Sequence, residues 1–290
     1  MTNQYETIQA APLSPALGAE ICGVDIAQGV SEQQLADLRQ AYIDYGVIFL
    51  RDQDITPQQH IAFAERWGQI NINRFFRPTD DYPMIAEVRK EADQKANIGS
   101  SWHTDHSYDQ RPAMGSILYA REVPSVGGDT LFAGMYAAYD ALSDGLKNML
   151  LSLRAEHSSR HAFGETAYVD VDAEDLGDRL GNTAAATQDA LHPVVIRHPL
   201  SGRAALYVNG DFTVKFEGWT KAESQPLLDF LYAHASQNEF TCRFRWRKGS
   251  IAIWDNRATQ HCALNDYHGE RRLMHRITID GEDLDAYAPG

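Results

Sequence analysis

The sequence predicts an α+β fold in which helices flank an antiparallel sheet or barrel, and three observations carry that expectation. Helix-start signals cluster early and late in the chain. Segments with apolar residues at period two crowd the part after residue 100. Strand and helix signals do not alternate regularly, which separates this pattern from a series of βαβ units. At 290 residues the chain exceeds the roughly 100 to 200 residues of an average domain, yet β-barrels and sandwiches run larger, and no linker or internal repeat divides it. One domain over 1–290 is expected.

The elements follow in order. Ser31 with Gln34, Thr56 with Gln59 and a first-turn Pro57, and Thr220 with Glu223 match the capping box, in which two side chains satisfy orphan backbone amides. They predict helices over 32–45, 57–67 and 221–235. Pro226 lies inside the last and removes one helix hydrogen bond, so a kink or a shifted start is expected there. A further helix follows Ser143 through LKNMLLSL. Period-two strands are predicted at Ser116–Arg121, Val194–His198, Ala204–Val208, Phe240–Trp246, Ile251–Trp254 and Arg272–Ile279. Along Phe240–Lys248, Arg243, Arg245 and Arg247 alternate with apolar residues, the pattern of a half-buried strand with a solvated basic face. Between Glu165 and Gln188 stand six acidic residues and one base, Arg179, without periodicity; a lid loop over 165–190 is expected.

Composition narrows the function classes. Lys+Arg 26 against Asp+Glu 40 leaves a formal charge of −14, so nucleic acid is repelled on average, and any bound anion needs a local basic cluster. Three cysteines without a CxxC pair argue against a disulfide framework or a thiolate zinc site and fit a reducing cytoplasm. The amino terminus does not read as a secretory leader, and no run of about 18 apolar residues suggests a membrane span. The expected partners are a small anionic organic substrate and further copies of the chain, with neither nucleic acid nor membrane.

The chemistry concentrates around Ser-Trp-His103-Thr-Asp105-His106. In a strand, residues i and i+2 share a face, so His103 and Asp105 could both reach one ion, with a third ligand from elsewhere. Two histidines and one carboxylate form the facial triad that leaves coordination positions open and suits non-haem Fe(II). An HxD pair alone is expected about once by chance in such a chain. The candidate third ligand is His261, after the apolar strand that ends at Trp254. Downstream, alternation puts Arg272, Met274 and Arg276 on one face of a strand and Leu273, Ile277 and Ile279 on the other. Either the arginine face meets solvent, or it lies inside a barrel, where an unpaired guanidinium implies an anionic partner.

Taken together, WHTD, GGDT at Gly127–Thr130, WDNRxTQH at Trp254–His261 and RRLMHR at Arg271–Arg276 strongly resemble the taurine dioxygenase family. Its Fe(II)- and 2-oxoglutarate-dependent enzymes include aryloxyalkanoate and alkylsulfate dioxygenases, and the resemblance runs from about Leu13 to Asp280. It implies a double-stranded β-helix, a jelly roll with flanking helices. It implies His103, Asp105 and His261 as iron ligands, Thr130 and Arg272 at the distal carboxylate of 2-oxoglutarate, and O2 as the oxidant. Arg276, about 13 Å further along the strand, resembles the arginine for the anionic head of the substrate. Phe163 and Phe212 fall where relatives place aromatic pocket walls, and plain core phenylalanine is the alternative.

The chain departs from the taurine-specific pattern at Asn73 and Phe76, where a His and a Tyr are usual, at Gly99 in place of Asn, and at His106, where a small aliphatic residue is usual. These changes remove anchors for a small amine. The implied activity is hydroxylation of a sulfonate, alkylsulfate, or aryloxy or alkyl carboxylate with a larger, more apolar body than taurine, with C–heteroatom cleavage where the hydroxylated carbon bears sulfur or oxygen. Two rival readings are a jelly-roll metal enzyme that does not use 2-oxoglutarate and a non-catalytic binding protein.

Overall fold

Residues far apart in sequence pair into one large sheet and three smaller ones across the part of the chain that the computed structural model describes, residues 5–164 and 179–289. In the large sheet the order is Gln9–Pro12, Ala19–Cys22, Val47–Leu50, Ile251–Asp255, Gly115–Glu122, Arg272–Ile279, Tyr82–Lys90 and Pro78–Thr79, and Ile70–Asn71 pairs with the end of Arg272–Ile279. Its pairings are antiparallel except that of Ala19–Cys22 with Val47–Leu50. A second sheet sets Thr130–Gly134 between Thr241–Phe244 and Thr259–Ala263. Arg154–Ser158 lies between Asp189–Pro193 and Thr213–Phe216, and Val195–Arg197 pairs with Ala204–Leu206.

Alternation along the central strands explains why both faces of the large sheet are dry. Ile48, Leu50, Ile117, Ile251, Ile253 and Ile277 pack against Leu35, Leu38 and Phe63 of two helices, Glu32–Tyr45 and Pro57–Glu65. The opposite side chains, Val47, Phe49, Leu118, Ala252, Trp254 and Met274, pack against Phe132 and Phe244 of the second sheet. Each large apolar side chain so buried stabilises the fold by about 1.5 to 3 kcal/mol. On this inner side lie Arg272 and Arg276, which are 4% and 6% exposed. Of the two readings of the arginine face, the interior one holds.

Helix boundaries follow the caps. Ser31 accepts from Gln34 N–H to open Glu32–Tyr45, and Thr56 and Gln59 cap each other's backbone to open Pro57–Glu65, which stops two residues short of expectation. Thr220 and Glu223 do the same for Lys221–Ala235; Pro226 lies within it without shifting the start. The helix after Ser143 is Asp144–Leu150. Arg243, Arg245 and Arg247 are exposed while Cys242, Phe244 and Trp246 are buried, although strand pairing ends at Phe244. Of the lid loop expected at 165–190, residues 165–178 lie outside the described residues; the rest holds a 3-10 turn at Thr183–Ala185 and the start of Asp189–Pro193. Among the described residues no helix is long and apolar enough to cross a membrane.

Candidate metal and anion site

His103 and Asp105 do not sit on a strand, contrary to the sequence expectation. His103 makes an isolated antiparallel bridge with His261, giving its N–H to the His261 carbonyl at 3.1 Å and accepting from His261 N–H at 2.9 Å. The chain then turns: His106 takes a left-handed φ of 60°, and its carbonyl accepts from Asp109 N–H. Strand alternation is therefore not what brings the two side chains together; the bridge and the turn do it. His261 arrives from the second sheet, on Thr259–Ala263.

Potential ligand atoms of His103, Asp105 and His261 lie within 4.8 Å of one another, and all three residues are buried. The Nδ1–H of His103 donates to the Ser101 carbonyl at 2.8 Å, which leaves the Nε2 lone pair facing Asp105, 3.8 Å from Oδ1. Gly99 closes over this ring: at φ +75° any Cβ would stand 3.0 Å from the Cε1 of His103. His261 is held between the rings of Phe132 and Trp254, and its Nδ1 is buried without a hydrogen-bond partner. Burial first, and then the neighbouring His103, lower the His261 pKa to about 3, so its imidazole is neutral and able to act as a ligand. Burial opposes the Asp105 charge, but the Arg276 guanidinium beside it favours that charge, and the carboxyl is held below its ordinary range. A buried set of two imidazoles and one ionised carboxylate within 4.8 Å of one another is chemically a site for a divalent metal.

Two cations flank this cluster. Arg276 Nη1 stands 3.3 Å from both oxygens of Asp105, its guanidinium lies 4.4 Å above the Phe76 ring, and its Nε is buried without a partner. Arg272 is more isolated. Burial lowers its pKa against the pull of Tyr267 and Asp129, and both Nε and Nη2 are buried and unpartnered. Beside it Trp246 donates its indole N–H to Thr130 Oγ1 at 2.9 Å, so the hydroxyl proton of Thr130 is left to donate elsewhere. A buried guanidinium without a carboxylate is costly, and the spare donors of Arg272 and Thr130 are what a bound carboxylate would satisfy.

All the site residues expected from sequence line one cavity of about 260 Å³. Its lining includes Asn73, Phe76 and His106, the aromatic rings of Phe163 and Phe212, and the His-Asp-His cluster with Thr130, Arg272 and Arg276. Phe163 stacks on Phe75 at 4.4 Å, and Tyr108 stands edge-on to Phe212 at 4.9 Å, so both phenylalanines belong to an aromatic wall. Sequence reasoning missed Tyr108 and Asp211, which also line the cavity; Asp211 Oδ2 is 3.7 Å from His103 Nδ1. Tyr108 lay three residues beyond Asp105, a candidate ligand, and was open to detection. Asp211, in a segment with no metal motif, had no sequence signal.

Comparison with known proteins adds an independent observation. The sequence profile described as "Taurine catabolism dioxygenase TauD, TfdA family" matches residues 9–278. An alpha-ketoglutarate-dependent sulfate ester dioxygenase of Pseudomonas putida is 33% identical over 272 residues, covering 93% of this chain and 89% of that protein. An alpha-ketoglutarate-dependent 2,4-dichlorophenoxyacetate dioxygenase of Cupriavidus pinatubonensis is 32% identical over 300 aligned positions, 94% of this chain and 98% of the relative. Among solved structures, a taurine dioxygenase from Burkholderia xenovorans superposes with a TM-score of 0.80 at 32% identity, over 96% of this chain and 92% of that one. AAD-2 in complex with Mn(II) and N-oxalylglycine gives 0.79 at 29% identity, over 96% and 99%.

Proposed function

The chain belongs to the taurine catabolism dioxygenase TauD, TfdA family, and from that premise we propose that it is an Fe(II)- and 2-oxoglutarate-dependent dioxygenase hydroxylating a small anionic organic substrate. The observation that carries this reading is the coincidence, in one cavity, of a buried His-Asp-His cluster with two buried arginines that have spare donors. In this reading the fold is a single jelly-roll domain with flanking helices, acting in the cytoplasm as a homo-oligomer.

His103, Asp105 and His261 hold the metal, and Arg272 with the Thr130 hydroxyl holds the distal carboxylate of 2-oxoglutarate. When bound, the Fe(II)–2-oxoglutarate pair supplies the activation of O2 that yields succinate, CO2 and a hydroxylated substrate carbon. The protein's own share is binding and exclusion of water. Arg276 grips the anionic head of the substrate with the Nε that Asp105 leaves unused. Phe76, Phe163 and Phe212 cover the apolar body, while Asn73 and His106 add the polar groups on that side. The substrate class is a sulfonate, an alkylsulfate, or an aryloxy or alkyl carboxylate; where the hydroxylated carbon bears sulfur or ether oxygen, the product collapses with C–heteroatom cleavage.

Calorimetric titration with Mn(II) and then 2-oxoglutarate tests the site. The wild type binds the metal, and binds 2-oxoglutarate more tightly once it is loaded. Asp105→Ala loses metal binding and iron-dependent succinate formation while keeping a native circular dichroism spectrum. Full turnover in that variant would remove Asp105 from the ligand set.

A further inference from the structure

The turn that follows Asp105 carries a polar network that the reaction as described above does not use. Arg74 donates to both oxygens of Asp109, at 2.6 and 2.5 Å. Asp109 Oδ2 accepts the Nδ1–H of His106 at 3.0 Å. That leaves a lone pair on Nε2, which Asn73 Nδ2 meets at 3.4 Å. The Asn73 amide cannot be reversed, because its Oδ1 already accepts from the backbone N–H groups of Phe75 and Phe76, both at 2.9 Å. His106 takes this position with a left-handed backbone, φ 60°, a conformation uncommon for non-glycine residues but one that histidine, like asparagine and aspartate, adopts more readily than most. Every hydrogen bond therefore has a fixed polarity, from Arg74 through Asp109 and His106 to Asn73.

One group in this series has capacity to spare. Asn73 Nδ2 carries two hydrogens, of which His106 takes one, and the residue lines the cavity next to Phe76, whose ring supports Arg276. We propose that Arg74, Asp109 and His106 are positioning residues that lock Asn73 as a hydrogen-bond donor to the anionic head of the substrate, beside Arg276. The inference rests on the substrate reading given above and deepens it. The subsite so built offers donors only: it takes a sulfonyl, sulfate or carboxylate oxygen and refuses an ammonium group placed against Asn73.

Two measurements test this. The imidazole ¹⁵N shifts of His106 in the wild type report the network without any substrate: Nδ1 protonated and Nε2 unprotonated is expected, and a protonated Nε2 overturns the proposal. A double-mutant cycle with hexyl sulfate as the probe tests the action on Asn73. Asp109→Asn should raise the KM for hexyl sulfate about five- to tenfold, the loss of roughly one oriented hydrogen bond, with kcat and the KM for 2-oxoglutarate nearly unchanged. In an Asn73→Ala background the same substitution should raise KM no further. Equal effects in both backgrounds would show that Asp109 acts on stability alone and would overturn the proposal. If no anion stimulates wild-type succinate release, the functional reading fails, while the His106 spectrum still decides the network.

Discussion

Arg272 carries the cosubstrate half of the account. The residue is 4% exposed, and two of its guanidinium nitrogens are buried without partners, so a bound distal carboxylate would remove a standing cost. Taking away one partner of such a buried charge pair costs on the order of 2 to 5 kcal/mol. Arg272→Ala should accordingly weaken 2-oxoglutarate binding at least about tenfold in a calorimetric titration; an unchanged affinity would mean that the arginine has another role. At this scale the sequence was informative because strand alternation alone placed Arg272, Met274 and Arg276 on one face, although it left open whether that face was wet or dry. The His-Asp-His cluster was legible only as residue types. Its local conformation was not, because His103 and Asp105 are organised by an isolated bridge to His261 and a left-handed turn, neither of which leaves a periodic signature.

At the level of elements, signals confined to a few neighbouring residues survived best. The capping box at Thr220 and Glu223 fixed the start of Lys221–Ala235 despite Pro226, with Glu223 N–H donating to Thr220 Oγ1 at 3.3 Å and Thr220 N–H to Glu223 Oε2 at 2.8 Å. Thr220→Ala should lower stability by about 1 kcal/mol in denaturant unfolding and leave the KM for 2-oxoglutarate unchanged, since the helix packs away from the cavity; a loss of cosubstrate affinity would contradict that separation. Elements held by distant pairing were harder to read. Val47–Leu50 is four apolar residues long, too short for periodicity to distinguish strand from helix, and it is a strand because Ala19–Cys22 and Ile251–Asp255 flank it. The helix Met135–Asp140 begins at Gly134 without a side-chain cap and gave no start signal.

For the molecule as a whole, buried neutral histidines set the acid sensitivity. Burial lowers His60 from 6.5 to about 3 and pushes His157 well below the ordinary value, while both would titrate normally in the unfolded chain. The unfolded state thus binds more protons below about pH 6.5, so stability is fully present above that value and is lost as the pH falls towards the folded-state values. Each such group contributes up to about 1.4 kcal/mol per pH unit. Unfolding midpoints should therefore drop between pH 6.5 and 4, before the paired carboxylates Asp105 and Asp255 are protonated, and His60→Leu should shallow that drop; a flat profile down to pH 4.5 would contradict it. The central claim, an Fe(II)- and 2-oxoglutarate-dependent oxidation of an apolar-bodied anion, is tested most directly by succinate release with hexyl sulfate, a phenoxyacetate and taurine at equal concentration. An apolar pocket separates substrates by about 10- to 200-fold per methylene, whereas a subsite built to hydrogen-bond one polar group rejects others far more strongly. If Asn73, Phe76 and Gly99, which line the cavity, stand in place of amine anchors as the family resemblance implies, the alkyl or aryl anion should release succinate at least about tenfold faster than taurine. Saturable taurine turnover as the best activity, or succinate release that no anion stimulates, would contradict the account.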